Sequence, residues 1–463
     1  VTAKASEKGS KMAVEFIPID RDTPYLFPPS VQDYLPDDHL ARFVVEIVDQ
    51  LDLNHLSAVY TGRGSKPFHP AMLVSLLFYG YATGVFSSRK LEKASYDSIA
   101  FRYICANSNP DHDTIASFRK RFLQELAALF VEILVLAEAM GLVKLGTVSL
   151  DGTKIKANAS KHKALSWDYA IRLEAQLQQE VEALMRLAEQ ADQGSLPEEM
   201  DIPEELRRRE QRLVAIARAK EELKVRAQAR FEDEQAEYEE QLEKREARAK
   251  KTGKKPRGKP PKPPTAGPRG KDQVSLTDEE SRIMPTSGGG FEQAYNAQAG
   301  VDVETHLIVE QHVTQHTNDK QEIEPALAAI EHLPAVLGEV KKLLADTGYF
   351  SEANVEKCIE GGIEPFIPEK RQPHNLPLME RFSDGPAPPQ NATAVQAMRH
   401  RLQTQQGKAV YAKRKATVET VFGIVKDVLG FRQFLLRGLN AVQGEWSLVC
   451  IGWNLKRMHA LSA

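Results

Sequence analysis

Three acidic residues have the types and settings for phosphodiester chemistry. Asp151 closes the run Gly146–Asp151 (GTVSLD), where Val148 and Leu150 alternate with Thr147, Ser149 and Asp151 as in a strand with one buried face. Asp346 closes a second short run, Lys342–Asp346, and Gly348 follows it. An acid at the end of a core strand, beside a glycine turn, points into a cleft at the sheet edge. Glu419 belongs to a helix within Tyr411–Gly430. There Val418, Val421, Val425 and Val428 form an apolar stripe, and Lys415, Glu419, Phe422 and Lys426 a neighbouring one. Taken singly, each aspartate reads more readily as a cap or turn residue. Glu419 alone reads as half of a solvated Lys–Glu pair worth roughly a few tenths of a kcal/mol. Together they suggest more. Hard carboxylate oxygens suit Mg²⁺ or Mn²⁺, and two such ions can stabilise the attacking and leaving oxygens of a phosphodiester displacement. Three acids crowded without a cation would repel one another.

The order of SLDGTKIKANAS (149–160), YNAQAGVD (295–302), ADTGYF (345–350) and Tyr411-x-x-Arg414-x4-Glu419-x6-Lys426 resembles the DDE transposases of bacterial insertion sequences. The likeness runs over residues 16–460 and is to the subgroup with an N-terminal helical domain and a long helical insert after the first aspartate. It implies an RNase H-like core with Asp151, Asp346 and Glu419 as catalytic residues and ligands of Mg²⁺ (or Mn²⁺), two ions in all. It further implies that Tyr411, Arg414 and Lys426 contact DNA near the cut. The implied partners are terminal inverted repeats and target DNA, bound by a homodimer in the bacterial cytoplasm. One departure stands out: many relatives have three residues between the arginine and the glutamate, and Arg414 and Glu419 have four. Lys415 sits at the three-residue spacing, so either cation fills that position.

Further cations are candidates for DNA contact. Lys154 and Lys156 follow Asp151 closely, and Arg432 and Arg437 lie beyond the Glu419 helix. Residues 68–122 resemble the helical domain that precedes the core in these transposases. Ser87 or Ser88 caps a helix beginning with Arg89 and Lys90. Asp111–Thr114 caps another carrying Ser117, Arg119 and Lys120, as in a helix-turn-helix with a basic second member. Each of these residues also fits an ordinary surface charge.

The elements that must position the acids follow from the wider pattern. Helical spacing recurs at His39–Leu51, with Asp37 and Asp38 as caps, and at Pro70–Tyr81, Ser87–Ser95, Ile99–Cys105 and Asp113–Met140. Residues 37–142 therefore read as an all-helical, DNA-binding domain, after a leader and extended arm over 1–36. An α/β catalytic core, a mixed sheet flanked by helices, is expected over 143–164 and 276–463. Its hairpin is Phe291–Asp302 with His306–Val313; a helix at Gln321–Leu333, a strand at Ile363–Ile367 and closing helices at Lys413–Val428 and Leu439–His459 follow. Between them lies an inserted helical hairpin, 165–249, with Leu206, Leu213, Ile216 and Leu223 at heptad positions. The hairpin is expected to project from the core as a separate arm. Residues 250–275 read as a flexible linker, because Lys250–Lys271 holds nine Lys or Arg, six Pro and no acid. It is either a plain tether or a phosphate-binding strap.

The formal net charge is only -3, so nucleic-acid binding has to be argued from local patches. Cys105, Cys358 and Cys450 form no CxxC pair, which argues against a disulfide framework or a structural zinc site. No signal peptide opens the chain, and polar Val1–Lys11 is assigned no role. His69–Ser88 carries no formal charge and nearly has the length of a membrane span, yet Pro70, Gly80 and Gly84 favour a buried helix. Two rivals remain: a non-transposing RNase H-like nuclease or recombinase, and a domesticated DNA-binding regulator. A zinc enzyme is weaker, because His306, His312 and His316 lack metal-site grouping.

Overall fold

The computed structural model describes residues 30–60, 67–160, 164–191, 202–253, 258–286, 289–370, 383–384, 387 and 391–462. Most of the expected leader and arm lies outside them. Seven helices come first: α1 (Leu40–Val48), α2 (Asn54–Ser57), α3 (Pro70–Thr83), α4 (Ser88–Asp97), α5 (Ile99–Ile104), α6 (His112–Arg121) and α7 (Leu123–Ala139). His39, and neither Asp37 nor Asp38, caps α1: its Nδ1 accepts from the Ala41 N–H at 3.0 Å. The helix expected over 113–140 is two helices, parted where the backbone of Phe122 leaves helical geometry and its ring packs against Phe118. Most of α3 is buried, as a core helix should be. No single helix among the described residues is long and apolar enough to cross a membrane.

The strands are β1 (Leu145–Lys156), β2 (Ala164–Ser166), β3 (Gln273–Ser275), β4 (Arg282–Pro285), β5 (Phe291–Asp302), β6 (Ile308–Thr314), β7 (Gly338–Leu344) and β8 (Glu364–Phe366). The main sheet runs β4-β5-β1-β7-β8, with β6 also paired to β5. The β5–β6 and β1–β5 pairs are antiparallel, whereas β1–β7 and β7–β8 are parallel. Parallel neighbours need crossovers, here α10 (Ile323–Glu331) and α11 (Glu352–Glu360). This mixed, helix-flanked sheet is an RNase H-like core. One correction concerns β1: it continues to Lys156, so Asp151 lies in mid-strand and not at its end. Alternation carries on through buried Ile155, and Gly152 marks a close approach where a turn was expected.

Between β2 and β3 stand α8 (Trp167–Ala191) and α9 (Ile202–Thr252). Leu173, Leu177, Ile216 and Leu223 form their own small core, while Val225 is 64% exposed, as the fading heptad implies. The pair does not stand free of the body, contrary to expectation. Arg226 donates to the Gln273 carbonyl at 3.2 Å and to that of Glu279. Farther along, Lys320 holds the Glu240 carboxyl down and Glu352 holds the Lys244 ammonium up, each secondary to the Glu240–Lys244 pair itself. The return segment is also more ordered than a tether. Arg245 donates to the Gly258 carbonyl at 2.6 Å and Arg230 to that of Gly267 at 3.1 Å, and Arg269 grips Glu234. An extended proline-rich backbone leaves its carbonyls free for such donors.

The chain closes with α12 (Ala394–Gln403), α13 (Gln405–Arg414), α14 (Thr420–Gly423) and α15 (Leu439–Ser462); π-helical turns, Lys415–Glu419 and Ile424–Val428, flank α14. Helix α15 is buried along most of its length and fastens the sheet to the first helices. Trp446 Nε1 donates to the Gln298 carbonyl at 2.9 Å, and Asn454 bonds both the N–H and the carbonyl of Ile308. A Cβ at Gly452 would lie 2.8 Å from the Ala82 nitrogen, so only glycine lets α15 cross α3 this closely.

Candidate active site

Sheet register explains why two residues 195 positions apart meet (346 − 151). Ser149 on β1 lies beside Leu344 on β7; two residues further along each chain come Asp151 and Asp346, side by side on one face. Asp346 is held by the turn Thr347–Tyr349, which it caps through a 2.7 Å bond from the Gly348 N–H. The Asp151 carboxyl titrates far above its usual range, at about 7. Burial is the main cause; Arg414 opposes it, and the charges of Asp346 and Asp319 add to it.

The third acid arrives on an irregular helix. Five residues along a regular α-helix advance about 500°, which leaves them roughly 140° out of phase. A π turn, closed by i→i+5 bonds, returns residues five apart to one face. The π turn Lys415–Glu419 does this for Arg414 and Glu419, and thus absorbs the fourth intervening residue. Arg414 Nη1 donates to Asp151 Oδ2 at 3.2 Å and Nη2 to Glu419 Oε1 at 2.8 Å. One guanidinium therefore spans the two acids. Tyr411 lies within the fields of Arg414, Asp346 and Asp151, and burial foremost lifts its hydroxyl above the usual range. The π turns also shift the apolar stripe: Val418, Val421 and Val425 are buried, but Val428 is 70% exposed.

The other cations divide. Lys415, at the three-residue spacing, is exposed and takes no part in these ion pairs. Lys426 donates to Thr153 Oγ1 and, at 3.0 Å, to the Lys154 carbonyl; it clamps the helix onto β1, and burial lowers its ammonium below the usual range. Lys156 pairs with Glu292 at 3.4 Å, and Lys154 is half-buried. Arg432 pairs with Asp427, and Arg437 donates to the Asn158 carbonyl at 2.9 Å. Arg89, Lys90 and Lys120 are exposed. Arg119 corrects the sequence reading, because it is only 6% exposed and donates to Tyr81 Oη at 3.2 Å and the Phe86 carbonyl at 3.0 Å. A basic run at the end of a helix gives no sign of which member turns inward.

Sequence reasoning missed Asp319, Asn296 and Gln298. Asn296 Nδ2 and Gln298 Nε2 each donate to Asp319 Oδ1 at 2.7 Å, and Tyr349 Oη donates to Gln298 Oε1. Two amides with period two inside the otherwise small, apolar run YNAQAG were the available signal; Asp319 sits in a loop and gave none. His312 and His316 bond to Glu322, and His312 also to Glu310.

The chemistry of the donors suits a hard divalent cation: carboxylate oxygens crowd one face and a guanidinium lies between two of them. As they stand, no three His, Cys, Asp or Glu side chains among the described residues are grouped closely enough to hold an ion.

The mixed, helix-flanked sheet defines the class by fold, an RNase H-like core. Two family models specify it further: one described as a transposase DDE domain matches residues 264–455, and one described as a transposase domain (DUF772) matches residues 29–121. Both are transposase models, consistent with a DDE transposase of an insertion sequence. Asp346 and Glu419 fall within the first match, whereas Asp151 lies between the two, so its place in the site rests on the pairing of β1. No curated protein and no solved structure matches the chain.

Proposed function

We propose that this transposase cuts the ends of an insertion sequence and joins the freed strands to target DNA, with Asp151, Asp346 and Glu419 as its catalytic carboxylates. The observation that carries the reading is the single Arg414 guanidinium spanning Asp151 and Glu419, with Asp346 in the turn that follows β7. Mg²⁺ or Mn²⁺, when bound by the three acids, supplies Lewis-acid stabilisation to the attacking and leaving oxygens. In cleavage a water oxygen bonds to phosphorus as the P–O3′ bond breaks. In joining, the freed 3′-hydroxyl attacks a target phosphodiester and displaces its 3′-oxygen.

The chain's own residues prepare these steps. Asp151 and Asp346 set one wall by register, and Glu419 approaches from the π turn. Arg414 neutralises the acids until a DNA phosphate, which a guanidinium also binds in bidentate fashion, competes for it. Tyr411 flanks it. Exposed Arg89, Lys90 and Lys120 support end recognition by the helices of 37–142, and two ends call for two copies of the chain.

The test is an assay on DNA carrying the element's ends, scored separately for nicking and for strand joining. Both should require Mg²⁺ or Mn²⁺ and fail in Asp346→Ala. Cutting that survives chelation or this substitution contradicts the reading. Cutting without joining would favour the nuclease reading.

A further inference from the structure

We propose that α4, and not α6, carries the DNA-facing surface of the first helices: a stripe of Arg89, Lys93 and Tyr96 that takes the phosphates of a duplex. This rests on the reading of end recognition given above. Residues 89, 93 and 96 share one side of α4, because steps of four and three residues return to the same helix face. Arg89 and Lys93 are exposed, and Tyr96 is 57% exposed. All three residue types bond DNA phosphates. Lys90, also exposed, flanks the stripe, while Leu91 and Ser95 on the other side are buried. The acids of α4 do little to cancel this charge. Glu92 is turned to His112 Nδ1 at 2.7 Å, and Asp97 approaches Lys93 only to 4.0 Å.

The helix that the sequence pattern favours for DNA is poorly made for it. In a helix-turn-helix the second helix meets the bases with its N-terminal residues. On α6 that end carries Asp111 and Asp113, and Asp111 Oδ1 accepts the Asp113 and Thr114 N–H groups at 3.0 and 2.9 Å. A carboxylate thus fills the seat that a phosphate would need. The three basic residues of α6 stand in its last turn. Of these, Arg119 is buried, and the Arg121 guanidinium lies over the Phe122 ring, 5.2 Å from its centre. Lys120 remains.

A second, independent observation ties α4 to the cleft. The helix leaves α3 at 96°, through a turn at Gly84 (φ +82°) where a Cβ would lie 2.6 Å from the Leu429 carbonyl oxygen. Leu429 directly follows the π turn Ile424–Val428. Phe86 meets the Phe431 ring at 5.0 Å, and the Phe434 N–H donates to the Lys156 carbonyl of β1 at 2.9 Å. Helix α4 therefore starts where the Glu419 helix ends. DNA held by α4 is held on the joint that links that helix to β1.

The experiment measures binding of the full-length protein to a labelled duplex carrying the element's terminal repeat, over a range of salt concentrations. Chelator is present so that nothing is cut, and an unrelated duplex of equal length is the reference. Arg89→Ala combined with Lys93→Ala should weaken binding to the end duplex at least about tenfold, with the unfolding temperature unchanged. The slope of log K against log salt should fall by about two phosphate contacts. Tyr96→Ala should weaken binding and leave that slope alone, because no charge is lost. Ser117→Ala combined with Lys120→Ala on α6 should cost no more than about one contact. If the α4 pair binds as tightly as the wild type, or the α6 pair loses more than the α4 pair, α4 is not the DNA-facing helix. If the wild type binds the end duplex no better than the unrelated one, the reading of end recognition itself fails, and this inference with it.

Discussion

The two walls of the cleft are built on different principles. Asp151 stands on β1 and Asp346 caps the turn just beyond the end of β7, where the register of the two parallel strands brings them to neighbouring positions. Glu419 stands on a helix whose phase is set by two π turns and whose approach is held by Arg414 and Lys426. The sheet wall is thus rigid. The helical wall is adjustable, and its adjustment is electrostatic. On the function proposed above, a site that admits DNA and cations gains from having one wall of each kind.

The sharpest way to break this contrast is to change helix phase by one residue. An alanine inserted between Lys415 and Ala416 should turn Glu419 about 100° from the cleft and lower cleavage at least about 100-fold, the usual scale for losing a transition-state-stabilising group. Deleting Ala416 should let a regular α-helix carry Arg414 and the glutamate on one face and leave most activity. Equal loss from both would mean the π turn plays no part in positioning.

A second test concerns what anchors the helical wall. Glu445, 0% exposed on α15, accepts the Leu435 and Leu436 N–H groups at 3.0 and 2.9 Å. Those residues follow the strip Phe431–Phe434, whose backbone joins Lys156 of β1. Burial lifts the Glu445 carboxyl, with the Arg119 charge as a countering influence. Arg119→Ala should leave the Phe86 carbonyl and Tyr81 Oη without this donor, remove the charge that counters Glu445, and destabilise the fold by about 1–3 kcal/mol, read as a fall in denaturant midpoint. Lys120→Ala, one residue away but exposed, should leave stability unchanged and weaken DNA binding slightly, flattening the salt dependence by about one charge.

A smaller effect is expected beneath the sheet wall. Burial lowers the His312 imidazole, but Glu310 and Glu322 outweigh it and raise it to about 10. Burial raises Glu322, but His312 and His316 outweigh it and bring it to about 2. The raised histidine contributes stability that is complete below its unfolded value near 6.5 and is lost as pH climbs through 10. The lowered glutamate contributes above about 4.5 and loses its share as pH falls towards 2. Melting temperature should therefore decline from pH 7 to 10, and His312→Gln should flatten that decline. An unchanged slope would show that the histidine is not charged in the fold.

The same contrast governs how much was legible in the sequence. Period-two alternation revealed β1, because burial of one strand face writes itself directly into residue type; β5, buried on both faces, and the short run before Asp346 were legible only as strand-like runs. The alternation placed the end of β1 too early, since Gly152 serves close packing and not a turn. The short β2, β3 and β4 carry too few residues for a period to show. On the helical wall Val428 fell outside the buried stripe, because a π turn leaves no compositional mark. The extra residue between Arg414 and Glu419 was visible, but which cation would face the acid was open until the turn was seen. Asp319 was illegible for a simpler reason: its partners lie on another strand.

The most direct test of the central claim, that three acids distant in sequence serve one cation, is to load the protein with Fe²⁺ and generate hydroxyl radicals locally with ascorbate and peroxide. Backbone cuts should appear near residues 151, 346 and 419 together, and should vanish when Mg²⁺ competes or when Asp151 is replaced by asparagine. Cuts near 346 and 419 that leave the neighbourhood of 151 intact would contradict the account.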